Sequence, residues 1–328
     1  MNPKAILDII EKYDRFLVAC HVNMEGDSLG SQLALASLLR KHGKQVITAN
    51  GTAVPDSLKF LSGWPDVIID PGTTDLAEVQ CMVVVDCPHL KRIGPVYDAL
   101  PPDVFIVNID HHVSNEQFGH VNWIDGCAAA VGEMIYDLFE ASGHPMDGDA
   151  ALALYTSIMT DTGSFRFSNT TPGTLKRAAA LLNYGIKPHE VYGHVYESHT
   201  QQELALLKEV LGNLQLTDNN QVATACVTLE MMERCGGRPE SSDWFLDITR
   251  SVGVVRATAL LTELDPGRIK ISLRSKGFVD VNRVACFFGG GGHRAAAGCT
   301  IEKPLAEARE LLVEQIRRAV SEASPAEL

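Results

Sequence analysis

Residues 104–115 read VFIVNIDHHVSN, an apolar β-branched run that stops on one carboxylate and two imidazoles: Asp110, His111 and His112. An unpaired buried polar group costs about 1–3 kcal/mol. Three of them at the end of a buried strand must therefore be met by neighbours, metal, water or substrate. The same pattern recurs upstream: RFLVACH (15–21), QVITAN (45–50), DVIID (66–70) and CMVVVD (81–86) are short apolar runs bounded by Gly, Pro and Asp. Uniformly apolar strands separated by helical stretches predict an α/β fold with a parallel sheet covered on both faces. The intervening helices are expected over 27–43, with Gly43 as a stop, and over 128–143, 149–161 and 171–185.

Past residue 187 the pattern changes. A charged helical stretch (YESHTQQELALLKEVLGNL, 196–214) lies within an expected connector spanning 188–216. Strands follow at 221–230, 254–264 and 268–277, then a short helix (VNRVACFF, 281–288), the run GGGGHRAAAG (289–298) and a closing amphipathic helix (307–323). The expected organisation is an N-terminal parallel-sheet domain over 1–187, a helical connector, and a smaller C-terminal α/β domain over 217–328.

Composition narrows the function. The 45% hydrophobic and 21% charged fractions are those of a globular chain. No apolar run approaches the roughly 18 residues of a membrane span. The N-terminal MNPKAILDIIEKYDRF interrupts its apolar positions with charge, unlike a signal peptide, and Asn2-Pro3 reads as a helix cap. The eight cysteines form no C-x-x-C pair, which predicts reduced thiols and a cytoplasmic location. A formal charge of −13 argues against a broad surface for long nucleic acid, although it leaves room for a small anionic substrate in a local cationic pocket. Bound divalent cations would offset part of that charge.

Four segments place a carboxylate or histidine where an apolar run ends: HVNMEGDS (21–28), VVVDCP (83–88), NIDHHVS (108–114) and IMTDTGSF (158–165). Residues at the carboxyl ends of parallel strands line a common crevice. Converging carboxylates repel unless cations lie among them, and hard oxygen ligands mixed with imidazole suit Mn²⁺ or a similar ion. So many ligands are too many for one ion and fit a pair about 3.5–4 Å apart, the arrangement of phosphoester-cleaving sites.

HVNMEGDSLGS, VVVDCP, NIDHHVSN and MTDTGSFRFS resemble the four motifs of the DHH phosphoesterases, which include RecJ-like nucleases. KISLRSKGFVDVNRVACFFGGGGHRAAAG (270–298) resembles the DHH-associated C-terminal domain. Length and layout most resemble the family's oligoribonuclease branch, which also dephosphorylates 3′-phosphoadenosine 5′-phosphate. The resemblance implies two Mn²⁺ ions, replaceable by Mg²⁺ or Co²⁺. His21, Glu25 and Asp86 would hold one; Asp27, Asp86, His111 and Asp161 would hold the other, with Asp86 bridging. Asp110 would orient a ligand histidine, and His112 would face the substrate phosphate or leaving group. One departure stands out: the family usually has Pro-Asp where this chain has Met24-Glu25, which removes a fixed φ and lengthens the ligand arm by about 1.5 Å.

In the C-terminal half, Gly289, Gly290, Gly291 and Gly292 are expected to present consecutive N–H groups to a phosphate, with His293 as a further donor. Arg274, at a strand end, is the best candidate for a bidentate phosphate contact, with Ser275 and Arg250 as lesser contributors. Phe165, Phe167 and Tyr196 are candidates to stack on a base, against a plainer role in the core. The expected activity is exonucleolytic hydrolysis of RNAs of about two to five nucleotides, since a grip on the substrate end is expected to lie in a closed cleft, together with phosphatase action on 3′-phosphoadenosine 5′-phosphate. Expected partners are short RNAs and phosphorylated nucleotides, not membranes, and a homodimer is compatible with the sequence. The rivals are a cyclic-dinucleotide phosphodiesterase, an inorganic pyrophosphatase, and a nucleotide-binding regulator whose catalytic site has decayed. Glu25 is the one feature that favours the regulator.

Overall fold

The computed structural model describes residues 3–237, 244–276 and 279–323. The chain divides into two compact units between Ser198 and His199. Asn2 and Gly277, read above as a cap and a strand end, lie outside the described residues.

The first unit runs α1 (Pro3–Lys12), β1 (Arg15–Cys20), α2 (Gly26–Lys41), β2 (Gln45–Ala49), β3 (Val67–Ile68), β4 (Cys81–Val85), α3 (Pro95–Asp98), β5 (Phe105–Asp110), β6 (Val121–Ile124), α4 (Val131–Ser142), α5 (Gly148–Asp161), α6 (Pro172–Leu182) and α7 (Pro188–Tyr196). Its strands form one sheet of order β3-β2-β1-β4-β5-β6, and every neighbouring pair is parallel. The period-two pattern explains the uniformly apolar strands. Phe16, Val18 and Cys20 enter a core shared with α2, α4 and α5, while Leu17 and Ala19 enter a second core on the opposite face. The strand order turns back between β1 and β4, and the crevice outside their carboxyl ends is where such sheets place ligands.

One close approach shapes that crevice. Helix α2 is buried along most of its length against α5. A Cβ on Gly30 would lie 2.4 Å from the Ala153 carbonyl oxygen, and one on Gly26 would lie 2.4 Å from Thr160 Oγ1. The two helices thus meet backbone to backbone, which brings Asp27, near the start of α2, to the end of α5 where Asp161 sits. Overpacking at such a contact costs about 1–3 kcal/mol. Gly30→Ala is expected to lower unfolding free energy by about that amount in urea titrations, with metal affinity reduced in parallel.

The second unit contains α8 (Gln201–Gly212), β7 (Gln215–Thr217), β8 (Val222–Val227), α9 (Leu229–Cys235), α10 (Trp244–Arg250), β9 (Ala257–Asp265), β10 (Arg268–Ser275), α11 (Val281–Phe287), β11 (Gly291–His293), β12 (Ala296–Ile301) and α12 (Leu305–Glu322). Its sheet has the order β11-β12-β10-β9-β8-β7, with β8 and β9 parallel and the remaining pairs antiparallel. Ala308, Leu312, Ile316 and Val320 recur every four residues along α12 and bury one face of that helix against it. The expected connector, 188–216, straddles the division, with α7 in the first unit and α8 in the second.

Several local readings differ from the structure: the expected strand 221–230 ends at Val227, and Leu229 and Glu230 open α9 instead, where Thr228 caps the helix. Only Val67 and Ile68 of DVIID pair as a strand, because a one-turn helix precedes them and Asp70 caps another. β6 was not anticipated: VNWI is short and mostly half-exposed, so it lacks the apolar signature of its neighbours. All eight cysteines are free thiols, with Cys127 and Cys286 exposed. Among the described residues no helix is long and apolar enough to cross a membrane.

Candidate metal centre

His21 directly follows β1, Asp86 follows β4, Asp110 ends β5, and His111 and His112 come next. Asp86 sits in the left-handed region at φ 52°, a strained conformation for a residue other than glycine. In that conformation its two oxygens serve two groups. Oδ2 lies 3.4 Å from His21 Nε2, and Oδ1 lies 3.7 Å from His111 Nε2. Glu25 Oε1 is 3.6 Å from His21 Nε2, while Asp27 Oδ2 and Asp161 Oδ2 are 3.7 and 3.5 Å from His111 Nε2. Ligand atoms of His21, Glu25 and Asp86 fall within 4.8 Å of one another, as do those of Asp27, Asp86 and His111.

The histidines are aimed by their other ring nitrogens. His21 Nδ1 is 2.6 Å from the Val22 carbonyl, and His111 Nδ1 is 3.1 Å from the Ala128 carbonyl. A carbonyl oxygen only accepts, so each Nδ1 carries hydrogen, and Nε2 is the nitrogen that offers a lone pair to the crevice. Asp27 is held firmly: Oδ2 accepts from Val131 N at 2.9 Å, and Oδ1 from Gly132 N, Ser31 and Ser157. Two of those donors open α4, whose N-terminal dipole favours the carboxylate.

Electrostatics reflect the crowding. Burial opposes the charged form of His21, but the carboxylates of Asp86 and Glu25 outweigh it and raise the pKa to about 10. His111 is likewise raised to about 10, against burial, by Asp161, Asp27 and Asp86. Burial and the Asp86 charge push Asp27 up to about 6, and burial lifts Asp161 well above the carboxylate range. These shifts share one cause, the crowding of carboxylates around two imidazoles.

A divalent pair fits this environment. Asp86 Oδ2 is buried and accepts no hydrogen bond among the described residues. Glu25, Asp27, Asp86 and Asp161 carry four negative charges when ionised, which two divalent ions would balance. Hard carboxylate oxygens with imidazole nitrogen match Mn²⁺-like ions. The Met24-Glu25 departure is accommodated: Met24 is buried, with its sulfur 2.7 Å from Asn50 Nδ2, and the Glu25 carboxylate stays beside His21.

Asp110 does not face the same groups. Its Oδ1 is 2.7 Å from His112 Nδ1 and accepts from the His111 amide at 2.8 Å, while Oδ2 accepts from Asn115 at 2.6 Å. Burial would raise its pKa, but His112 and Asn115 hold it below the ordinary value. The strand that ends in three polar groups therefore uses them differently: His111 turns toward Asp27, Asp86 and Asp161, while His112 pairs with Asp110 and also brings its Nδ1 to 3.6 Å from Asp86 Oδ1.

The second unit's candidates are arranged differently from the expectation. Gly289 N and Gly290 N donate to the Cys286 and Ala285 carbonyls that end α11, so these two amides cannot cradle a phosphate. Gly291, Gly292 and His293 instead form β11 against β12. A Cβ at Gly292 (φ 148°) would strike the Ala296 carbonyl at 2.5 Å, so packing accounts for this glycine. Ser275 is buried and donates to the Val279 carbonyl at 2.7 Å. Arg250 pairs with Asp247 and reaches the Ser275 carbonyl. Arg274 and His293 both lie opposite Ala296 in register. They therefore share one sheet face, flanking a methyl group, about 9–10 Å apart across two strand spacings. Phe165 packs against the core beside Tyr155, Tyr196 lies against Tyr192, and Phe167 lies under the Arg166 guanidinium.

The first unit thus has the makings of a divalent-metal centre at the switch point of a parallel sheet. Residues 15–158 match the model of the DHH family, N-terminal domain, and residues 219–322 match that of the DHHA1 domain. The chain belongs to the DHH family and is a hydrolase of phosphoesters. It is 33% identical to the bifunctional oligoribonuclease and PAP phosphatase NrnA of Thermus thermophilus, covering 93% of this chain and 90% of that one. It is 30% identical to the protein of the same name from Bacillus subtilis, over 90% and 92%. The crystal structure of an exopolyphosphatase-related protein from Bacteroides fragilis superposes with a TM-score of 0.88 at 27% identity, covering 96% and 95% of the two chains.

The raised pKa values set a direction for stability. An unfolded histidine titrates near 6.5, so between there and about 10 the metal-free native state binds more protons than the unfolded chain. That contribution is complete below about 6.5 and is lost as pH rises through about 10. Cations must displace these protons. The rise in melting temperature on adding Mn²⁺ is expected to be larger at about pH 8.5 than at about pH 6, with about two protons released per chain near neutrality. Calorimetry in buffers of different ionisation enthalpy measures the release; a pH-independent Mn²⁺ effect would contradict it.

Proposed function

We propose that this chain hydrolyses very short oligoribonucleotides, about two to five nucleotides long, to mononucleotides, consistent with its formal charge of −13. The same centre removes the 3′-phosphate of 3′-phosphoadenosine 5′-phosphate to give AMP. The observation that carries this reading is the splitting of Asp86, whose two oxygens face two separate histidine–carboxylate groups. The printed names of the Thermus and Bacillus relatives supply the substrate class.

In this reading His21, Glu25 and Asp86 hold one divalent ion, and Asp27, Asp86, His111 and Asp161 hold the other, with Mn²⁺ the favoured metal. When bound, the pair supplies Lewis acidity, lowering the pKa of water toward neutrality and screening the phosphoryl charge. The remaining work falls to the protein. Asp110, fixed by the His111 amide and Asn115, keeps its negative charge and holds His112 Nδ1–H. That leaves His112 Nε2 to carry a proton to the departing oxygen. Arg274 and His293, which share one face of the second unit's sheet, would take a terminal phosphate, Arg274 engaging it as a planar fork.

Two outcomes test this. Incubated with Mn²⁺, the protein should release mononucleotides from 5′-phosphorylated dinucleotides and phosphate from 3′-phosphoadenosine 5′-phosphate. Cleavage confined to cyclic dinucleotides or pyrophosphate would replace the reading, and nucleotide binding without turnover would point to a regulator. His112→Ala should lower kcat by about 10²–10⁴ while the protein still binds Mn²⁺. Asp86→Asn should lose both ions, as calorimetry would show.

A further inference from the structure

We infer that Asn169 and Glu133 are positioning residues that clamp Ala129, and through the adjoining Ala128 carbonyl set the aim of His111. The inference rests on the proposed metal-centre reading and extends it to residues outside the ligand set. His111 is backed by one peptide, whose carbonyl belongs to Ala128. That peptide lies in the short segment between β6 and α4, where few groups fix its orientation. Ala128 N closes a turn on the Asp125 carbonyl, and Cys127 N donates to Asp125 Oδ1 at 3.0 Å. The next residue is gripped at both ends. Ala129 N donates to Glu133 Oε2 at 3.1 Å, and the Ala129 carbonyl accepts from Asn169 Nδ2 at 3.1 Å.

Asn169 does more than hold a loop. Its Nδ2 also donates to the Asp161 carbonyl at 3.1 Å. One amide thus ties the peptide behind His111 to the helix end that carries Asp161, two side chains whose ligand atoms lie 3.5 Å apart. Rotation of the Ala128–Ala129 segment would withdraw the carbonyl from His111 Nδ1 and release the ring tautomer that points Nε2 into the crevice.

Each clamp residue commits one polar atom to Ala129 and leaves another, an oxygen, without a hydrogen bond among the described residues. Glu133 is only 5% exposed, yet its second oxygen, Oε1, accepts no hydrogen bond among the described residues; Asn169 Oδ1 is buried and unpartnered as well. The nearby Arg177 guanidinium interacts with the Glu133 carboxylate electrostatically. Sequence offered no signal for either residue: Glu133 reads as an ordinary helix position, and Asn169 lies beyond the fourth motif.

The clamp is specific to one side of the centre. Its hydrogen bonds reach the segment behind His111 and the end of α5, on the Asp161 side of the centre. A positioning role therefore predicts unequal damage to two ions, whereas a general loosening of the fold would weaken both.

The test uses the full chain with Mn²⁺ alone as probe, bound ions being counted and their affinities resolved by calorimetry and electron paramagnetic resonance. Glu133→Ala and Asn169→Ala are expected to weaken one of two ions roughly 10–100-fold and leave the other unchanged. Glu133→Gln, whose amide oxygen still accepts from Ala129 N, should bind like the unaltered protein. Amide hydrogen exchange at Ala129 gives a readout that needs no metal: it should quicken in Glu133→Ala and not in Glu133→Gln. The clamp is overturned if both ions bind the alanine variants with unaltered affinity, if both weaken alike, or if Glu133→Gln behaves as Glu133→Ala does. Should the unaltered protein bind no ion pair, the metal-centre reading fails on its own. Unchanged Ala129 exchange in Glu133→Ala would then overturn the clamp separately.

Discussion

Mutual repulsion among four carboxylates is the constraint around which the first unit is organised. Glu25, Asp27, Asp86 and Asp161 converge on two imidazoles in a crevice that buries Asp27 and Asp86 almost entirely. Such a group is unstable without positive charge. The metal-free fold supplies it by holding protons on His21 and His111 well past neutrality. The alternative supply is a pair of divalent ions, and the ring geometry is arranged for that exchange because Nδ1 of each histidine is already committed to a carbonyl.

The surrounding structure can be understood as the means of enforcing this convergence. A parallel sheet brings strand ends to a common edge, but it does not bring a helix end there. That requires α2 and α5 to pack closely, with Gly30 against the Ala153 carbonyl and Gly26 against the Thr160 side chain. It also requires α4 to begin where its first amides can hold the Asp27 carboxylate. Asp86 adopts a left-handed conformation at this edge, and its two oxygens are divided between His21 and His111. Strain of this kind persists only where its surroundings over-determine it.

Much of this was legible in the sequence, and the unread parts have physical reasons. Strands such as RFLVAC and CMVVV announce themselves because both faces are buried, so the parallel sheet and the positions of His21, Asp86 and Asp110 follow directly. His111 and Asp161 were legible in the same way, at a strand end and a helix end, while the resemblance to the DHH family singled out Glu25 and Asp27; the fold brings all four together. The short β6 was hidden by its partial exposure. The glycine run was misleading because glycine serves open anion-binding loops and tight strand packing equally well. Gly290 and Gly292 lie against the backbone of β12, and two of the run's amides cap α11. Hydrogen bonds between distant segments, such as those of Asn169 and Glu133, leave no periodicity and no spacing to read.

The account's central claim is that Asp86 bridges two cations, and diffraction recorded at the manganese absorption edge tests it most directly. Crystals grown with Mn²⁺ should give two anomalous peaks, one on each side of the Asp86 carboxylate, the first beside His21 and the second beside His111. A single peak, or peaks remote from Asp86 with His21 and His111 still paired to carboxylates, would contradict it.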